Sequence, residues 1–209
     1  MKKILSTLFA ASLMLLGTQA FAQGSINAGY LNSTQSFKNS DSVNSNGAYV
    51  GASYNIAIAG GFGVAPGIYY SLIANNKGTA AEILGIPVSG STKFREHAIN
   101  VPVYLNWGTD LARDSRFFVY AGPTVQYGLS SKTKGSVGVG SFAADGIYDN
   151  YKDGDQNPFN VYLGGGIGIT VAGIQVSVGY DYGMMNLYKG DDAVQSKRSN
   201  IKIGVGFAF

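Results

Sequence analysis

The chain has 209 residues, a formal net charge of +3, 13% charged residues, 30 Gly, 14 Tyr, 11 Phe and no Cys. Without Cys there are no disulfides and no thiolate metal sites, and a near-neutral balance excludes a nucleic-acid partner, which needs a basic face to displace counterions from phosphate. A soluble domain carries about 25% charged residues, so part of this surface is expected to touch something other than water.

The first element is a leader. Lys2 and Lys3 precede an apolar run from Ile4 to Leu16 and then Ala20-Phe21-Ala22, the pattern of a secretory signal peptide cleaved after an A-x-A site. The run is shorter than the roughly 20 residues a spanning helix needs. Cleavage after Ala22 defines residues 1–22 as signal peptide and 23–209 as a single domain. Removing Lys2 and Lys3 from the 15 Lys+Arg leaves 13 against 12 Asp+Glu, about +1.

Eight segments of period-two alternation follow, and period two means strand. Apolar Ile26, Ala28 and Tyr30 alternate with Asn27 and Gly29; Val50, Ala52, Tyr54, Ile56 and Ile58 alternate with Gly51, Ser53 and Asn55. The pattern continues with Phe62 to Leu72, Ile99 to Trp107, Phe117 to Leu129, Phe159 to Ile169, Ile174 to Tyr182, and Ile201 to Phe209. In each, larger apolar residues line one face and Gly, Ser, Asn or Tyr line the other. Only Asp181 and Lys202 fall well inside such a stretch, while Glu96 and Arg116 sit near the ends of two others.

The connections alternate in length. Ala59-Gly60-Gly61, Gly108 to Ser115 and Ala172-Gly173 are short; 36–46, 76–92, 131–157 and 188–197 are longer and carry most of the charge. Short periplasmic turns and longer extracellular loops are the asymmetry of an outer-membrane barrel. An open sheet edge in hydrocarbon would leave backbone groups unpaired at several kcal/mol each, so the sheet must close. The predicted fold is all-β: an eight-stranded antiparallel up-and-down transmembrane β-barrel. Outward Phe62, Trp107, Phe117 and Phe209 then fall at the periplasmic ends, and Tyr30, Tyr70, Tyr127, Phe159 and Tyr182 toward the extracellular ends. These are two aromatic girdles, one at each interface.

The inward set includes Tyr49, Tyr104, Phe118, Tyr120 and Tyr162 with the charges Glu96, Arg116, Asp181 and Lys202. Eight strands enclose a space that side chains can fill, and a charge inside needs a partner or water. Asp181 and Lys202 share inward parity on adjacent hairpin strands. They are expected to pair within a polar plug, with Thr124, Gln126 and Asn200 as hydrogen-bonding neighbours. Val50, Ile56, Val101, Val119, Val176 and Ile203 are expected to face lipid near mid-membrane.

Reaction chemistry has little support. His97, the single histidine, adjoins Glu96, but neighbouring strand positions face opposite sides and no Ser is near in sequence. The acidic stretch from Asp145 to Asp155 lacks the D-x-D-x-D-G spacing and closing Glu of a calcium loop, and reads as a solvated loop. No enzyme activity, cofactor or metal is expected.

"INVPVYLNW", "RFFVYAGPTVQYGLSSK", "FNVYLGGGIGITVAGIQVSVGYDYGMMNLY" and "RSNIKIGVGFAF" resemble the outer-membrane β-barrel family common in Bacteroidetes, akin to OmpX and OmpA barrels. Pro102, Ala121-Gly122-Pro123 and terminal Phe209 carry the resemblance. It implies fold and outer-membrane location and no particular activity. The run Ile201, Ile203, Val205, Phe207 and Phe209 also resembles the terminal signal read by the barrel assembly machinery. The expected partners are therefore the outer-membrane bilayer, that machinery and a surface ligand the sequence does not specify, with the chain a monomer. The expected role is structural or surface-binding, with Lys132 to Asn157 as the main exposed element; its Ser136 to Phe142 stretch alternates weakly, as a hairpin beyond the membrane would. A narrow channel for small solutes is the alternative.

Overall fold

In a computed structural model, residues 22–37, 40–83, 86–139, 142–154, 156–188 and 196–209 are described. They form β1 (Ala22–Phe37), β2 (Ser40–Ala57), β3 (Phe62–Ile83), β4 (Ile86–Ala112), β5 (Ser115–Val139), β6 (Phe142–Asp149), β7 (Phe159–Val171), β8 (Ile174–Gly183) and β9 (Ser196–Ala208). Eight strands close a ring in the order β4-β3-β2-β1-β9-β8-β7-β5, sealed by pairing of β4 with β5. Every pairing is antiparallel. β6 pairs with β5 alone and stands outside the ring. The eight-stranded barrel is thus the one expected from the alternation; the signal peptide lies outside the described residues except for Ala22, which opens β1.

The strands outrun the alternation that announced them. β3, β4 and β5 have 22, 27 and 25 residues, where about 9–11 cross a bilayer. The stretches expected as loops, 36–46 and 76–92, are mostly paired backbone, with registers reaching Phe37↔Ser40 and Ile83↔Ile86. Ladder hydrogen bonds need no apolar face, so Lys, Thr and Gly continue a strand once lipid is left behind. Gly108 to Ser115 contracts likewise: β4 runs to Ala112 and β5 starts at Ser115. Ala172 and Gly173, at φ 49° and 82°, make the two-residue turn whose left-handed positions match strand twist.

The outer face is apolar, the reverse of a water-soluble barrel. On β8, Val176, Val178 and Tyr180 are 43%, 47% and 49% exposed, and Gly179 and Asp181 between them are buried. Val50, Val101 and Ile203 also point outward, and half-buried Val119 and Phe117 share that face, opposite exposed Ile167 and Ile169. Ile56 faces outward but not at mid-membrane: it pairs with Val64, close to the Ala59-Gly60-Gly61 turn. At the turn end Phe62 lies opposite Trp107. At the hairpin end Tyr70, Ile99, Tyr127 and Phe159 form one row across β3, β4, β5 and β7; Tyr30 and Tyr182 are exposed at that end of β1 and β8, and Phe209 at the other end of the chain's last strand.

Candidate functional site

Inside the ring, polar side chains occupy two levels. Near the hairpin end Glu96 of β4 and Arg198 of β9, 1% and 3% exposed, form a bidentate pair. Arg198 Nη2 donates to Glu96 Oε2 at 3.0 Å, and Nη1 donates to Oε1. Gln156 Nε2 donates to Glu96 Oε2 at 3.2 Å, and Ser131, opposite Glu96 on β5, donates to Gln156 Oε1 at 3.1 Å. Beside them the hydroxyl of fully buried Tyr162 donates to Gln126 Oε1 at 3.1 Å. Two ionised groups in a dry layer need this degree of mutual satisfaction.

Gln156 reaches the pair because the chain between β6 and β7 folds back over the mouth. Asn150 N donates to Ser131 O at 2.8 Å, Gly128 N to Pro158 O at 2.7 Å, and Asn157 N to Leu187 O at 2.7 Å. Tyr151 packs on Gly128, where an added Cβ would meet the Tyr151 hydroxyl at 1.9 Å. Burial pushes the Tyr151 phenol well above its ordinary range, reinforced by Glu96 and opposed by Arg198.

The second level lies deeper. Lys202 Nζ is 2.6 Å from Asp181 Oδ2 and donates to the Tyr104 hydroxyl at 3.1 Å, which lies 3.1 Å from Thr124 Oγ1. A cavity of about 180 Å³ is lined by the Asp181–Lys202 pair itself and by Tyr49, Asn106, Gln175 and Ser177, and extends to Gln23 and Arg116 at the turn end.

The four charges expected to share one plug are therefore divided. Asp181 and Lys202 meet; Glu96 meets Arg198 instead. Arg116 joins neither: it donates to Gly61 O at 3.3 Å and faces Asp110 at 3.9 Å, with side-chain exposures of 38% and 77%. Of the expected neighbours, Thr124 acts through Tyr104, and Gln126 bonds Tyr162 and Asn100. Asn200 sits opposite Asp181 in the β8–β9 register without a bond to it. Arg198 was missed because it belongs to a charged loop sequence. Its signal was parity, since it lies two and four residues from inward Asn200 and Lys202.

His97 lies on the outer face, bonded through Nδ1 to the Tyr70 hydroxyl. Ser130 is its register partner on β5, but the Glu96 carboxylate points into the lumen and so does not join them in a triad. In the acidic stretch Asp149 Oδ1 accepts from the backbone of Tyr151 and Lys152, and Asp153 Oδ2 from that of Asp149. Among the described residues no group of three His, Asp or Glu is placed to hold a metal.

The family model of the outer membrane protein beta-barrel domain matches residues 18–189. The chain belongs to that family. It is accordingly an outer-membrane protein, its apolar outer face against lipid. The short turns are periplasmic and the long hairpins extracellular, so the Glu96–Arg198 level lies at the outer mouth and the cavity at the periplasmic one. No curated protein matches the sequence. Among solved structures, similar barrels include Ail, the attachment invasion locus protein of Yersinia pestis, at 15% identity, covering 90% of this chain and 99% of that one with a TM-score of 0.43. Neisserial surface protein A is similar at 15% identity, 89% and 97% coverage and 0.49. The outer membrane enzyme PagL is similar at 11% identity, 86% and 98% coverage and 0.39.

Proposed function

We propose that this protein is a non-conducting barrel that displays a strand edge at the cell surface for a partner polypeptide. The observation that carries the reading is β6. It lengthens the sheet formed by the outer parts of β3, β4 and β5, and its far edge has no strand partner among the described residues; only Asp149, at its end, is bonded to the turn that follows. Ile147 and Tyr148 on it are 64% and 48% exposed. Such an edge is a template for an added strand, with backbone hydrogen bonds giving affinity and alternate side chains giving selectivity. The two ion-pair levels and the chain folded over the outer mouth support a lumen that serves rigidity and not passage. On this reading the chain acts as a monomer without enzymatic activity, delivered by the barrel assembly machinery through the run from Ile201 to Phe209.

A photocrosslinking residue at Ile147 on intact cells should capture protein, and one at lipid-facing Val176 should not. Pro at Ile147, whose N–H faces the free edge because Asn150 N donates to Ser131 O of β5 and fixes the alternation, should abolish capture without unfolding the barrel. Steady single-channel current through the refolded protein in a planar bilayer, with no crosslink at Ile147, would replace this reading with that of a narrow channel.

A further inference from the structure

The outer face of β4 and β5 changes character abruptly above the Tyr70–Ile99–Tyr127–Phe159 row. On β4 the outward positions after Ile99 are His97, Arg95 and Lys93; on β5, after Leu129, they are Ser130, Lys132 and Lys134. A β-bulge at Leu129 sets the register, so that Arg95 lies directly opposite Lys132 and Lys93 directly opposite Lys134. Two like-charged cross-strand pairs are stacked on one face. Each such pair is destabilising, with Cβ atoms about 5 Å apart. All four side chains are exposed, and none forms an ion pair with a described carboxylate. Among the described side chains, the carboxylates on the same face belong to β6. Asp149, opposite Lys132, is turned to the backbone of Tyr151 and Lys152, and Asp145 lies opposite Ser136, beyond the cluster.

We propose that Lys93, Arg95, Lys132 and Lys134 form a binding site for the phosphate groups of an outer-leaflet glycolipid. Height argues for lipid over a soluble anion. Strands rise about 3.4 Å per residue at a tilt near 40°, which puts His97 about 5 Å and Arg95 about 10 Å above Ile99. The headgroup layer is roughly 5–8 Å deep on each side of the hydrocarbon. His97 is then within it, Arg95 and Lys132 stand just beyond its outer boundary, and Lys93 and Lys134 stand about 5 Å higher, all four with stems long enough to reach down toward phosphate. The face is also the continuation of the one that carries Val101, Ile99, Tyr127 and Leu129 against acyl chains. A lipid whose chains lie on that surface brings its headgroup to the cations. Its phosphates supply the negative charge that the cluster lacks, and Lys and Arg bind them as charge-assisted donors.

The test uses native mass spectrometry of the full-length refolded protein with bisphosphorylated lipid A and with the same lipid after phosphatase treatment. Wild type should retain the phosphorylated form. Retention should fall at least tenfold for the dephosphorylated lipid and for the K93Q/R95Q/K132Q/K134Q variant, stay intact in K132R/K134R, and weaken as salt is raised. Should the fourfold variant fail to fold, the dephosphorylated lipid, the charge-keeping variant and the salt series decide on folded protein. Equal retention of both lipids would overturn the proposal. So would binding of a soluble sulfated polysaccharide or of inorganic phosphate as strong as that of the lipid, which would make the patch a solvent-facing anion site.

Discussion

Glu96 and Arg198 show how a charge survives inside a narrow barrel. Burying either ion costs several kcal/mol, and the loss is offset by two parallel Arg–carboxylate bonds with Gln156 on the remaining lone pair. Removing one partner strands the other. Glu96→Gln should therefore destabilise by about 3–5 kcal/mol, and the double replacement of Glu96 and Arg198 by Met should cost less than the single change; urea unfolding in lipid vesicles measures both. Ala172 is a second residue whose conformation sets its energetics. It is the one non-glycine at positive φ among the described residues, a region that disfavours a side chain by about 1 kcal/mol or more. Asn suits the first position of this turn. Ala172→Asn should raise stability by about 0.5–1 kcal/mol in the same unfolding measurement.

At the level of elements, residues 150–154 and 156–157 are expected to open independently of the strands on which they are seated. Their seat is the bare backbone at Gly128. Gly128→Ala should displace Tyr151 and raise amide exchange in that segment at least tenfold, leaving the ring strands protected; equal protection in the variant would count against the docking. The raised Tyr151 phenol gives a sign for alkali. The folded state holds the proton more tightly, so docking is fully present below the unfolded value near 10 and is lost as pH rises past it. Exchange in the segment should accelerate above about pH 10 in wild type and less so in Tyr151→Phe. None of this was legible in the sequence. Alternation locates strands only where two sides meet different solvents, as with Val176, Val178 and Tyr180, and weakly from Ser136 to Phe142, where β5 and β6 do form a hairpin; Lys132 to Gly135 is paired backbone with no such contrast. For the same reason the charges inside the alternating core, Asp181 and Lys202, could be paired from parity. Arg198 shared that parity but adjoins the charged stretch 188–197, outside the alternating core that marked the strand.

For the molecule as a whole, the lipid face is the property that composition and alternation specified best. Val50, Val101, Val176 and Ile203 are outward as their parity required, and Arg at Ile203, six residues from the chain's last, should cost about 2–4 kcal/mol, with a smaller penalty at Ile56 nearer the interface. Vesicle refolding of the two variants compares them directly. The ring has one more property, and it lies in the seam between β1 and β9. Ser25 pairs with Ala208, and Gly24 and Phe209 exchange backbone hydrogen bonds at 3.1 and 2.9 Å. Every other ring contact joins strands close in sequence, but this one joins the earliest described strand to the last. Its loop-closure entropy must be met before any of its bonds form. Until β9 arrives, β1 and β8 both present raw edges, the state most prone to sticking to other chains. Sticking to other chains during assembly should therefore grow with the time the first strand waits for its last.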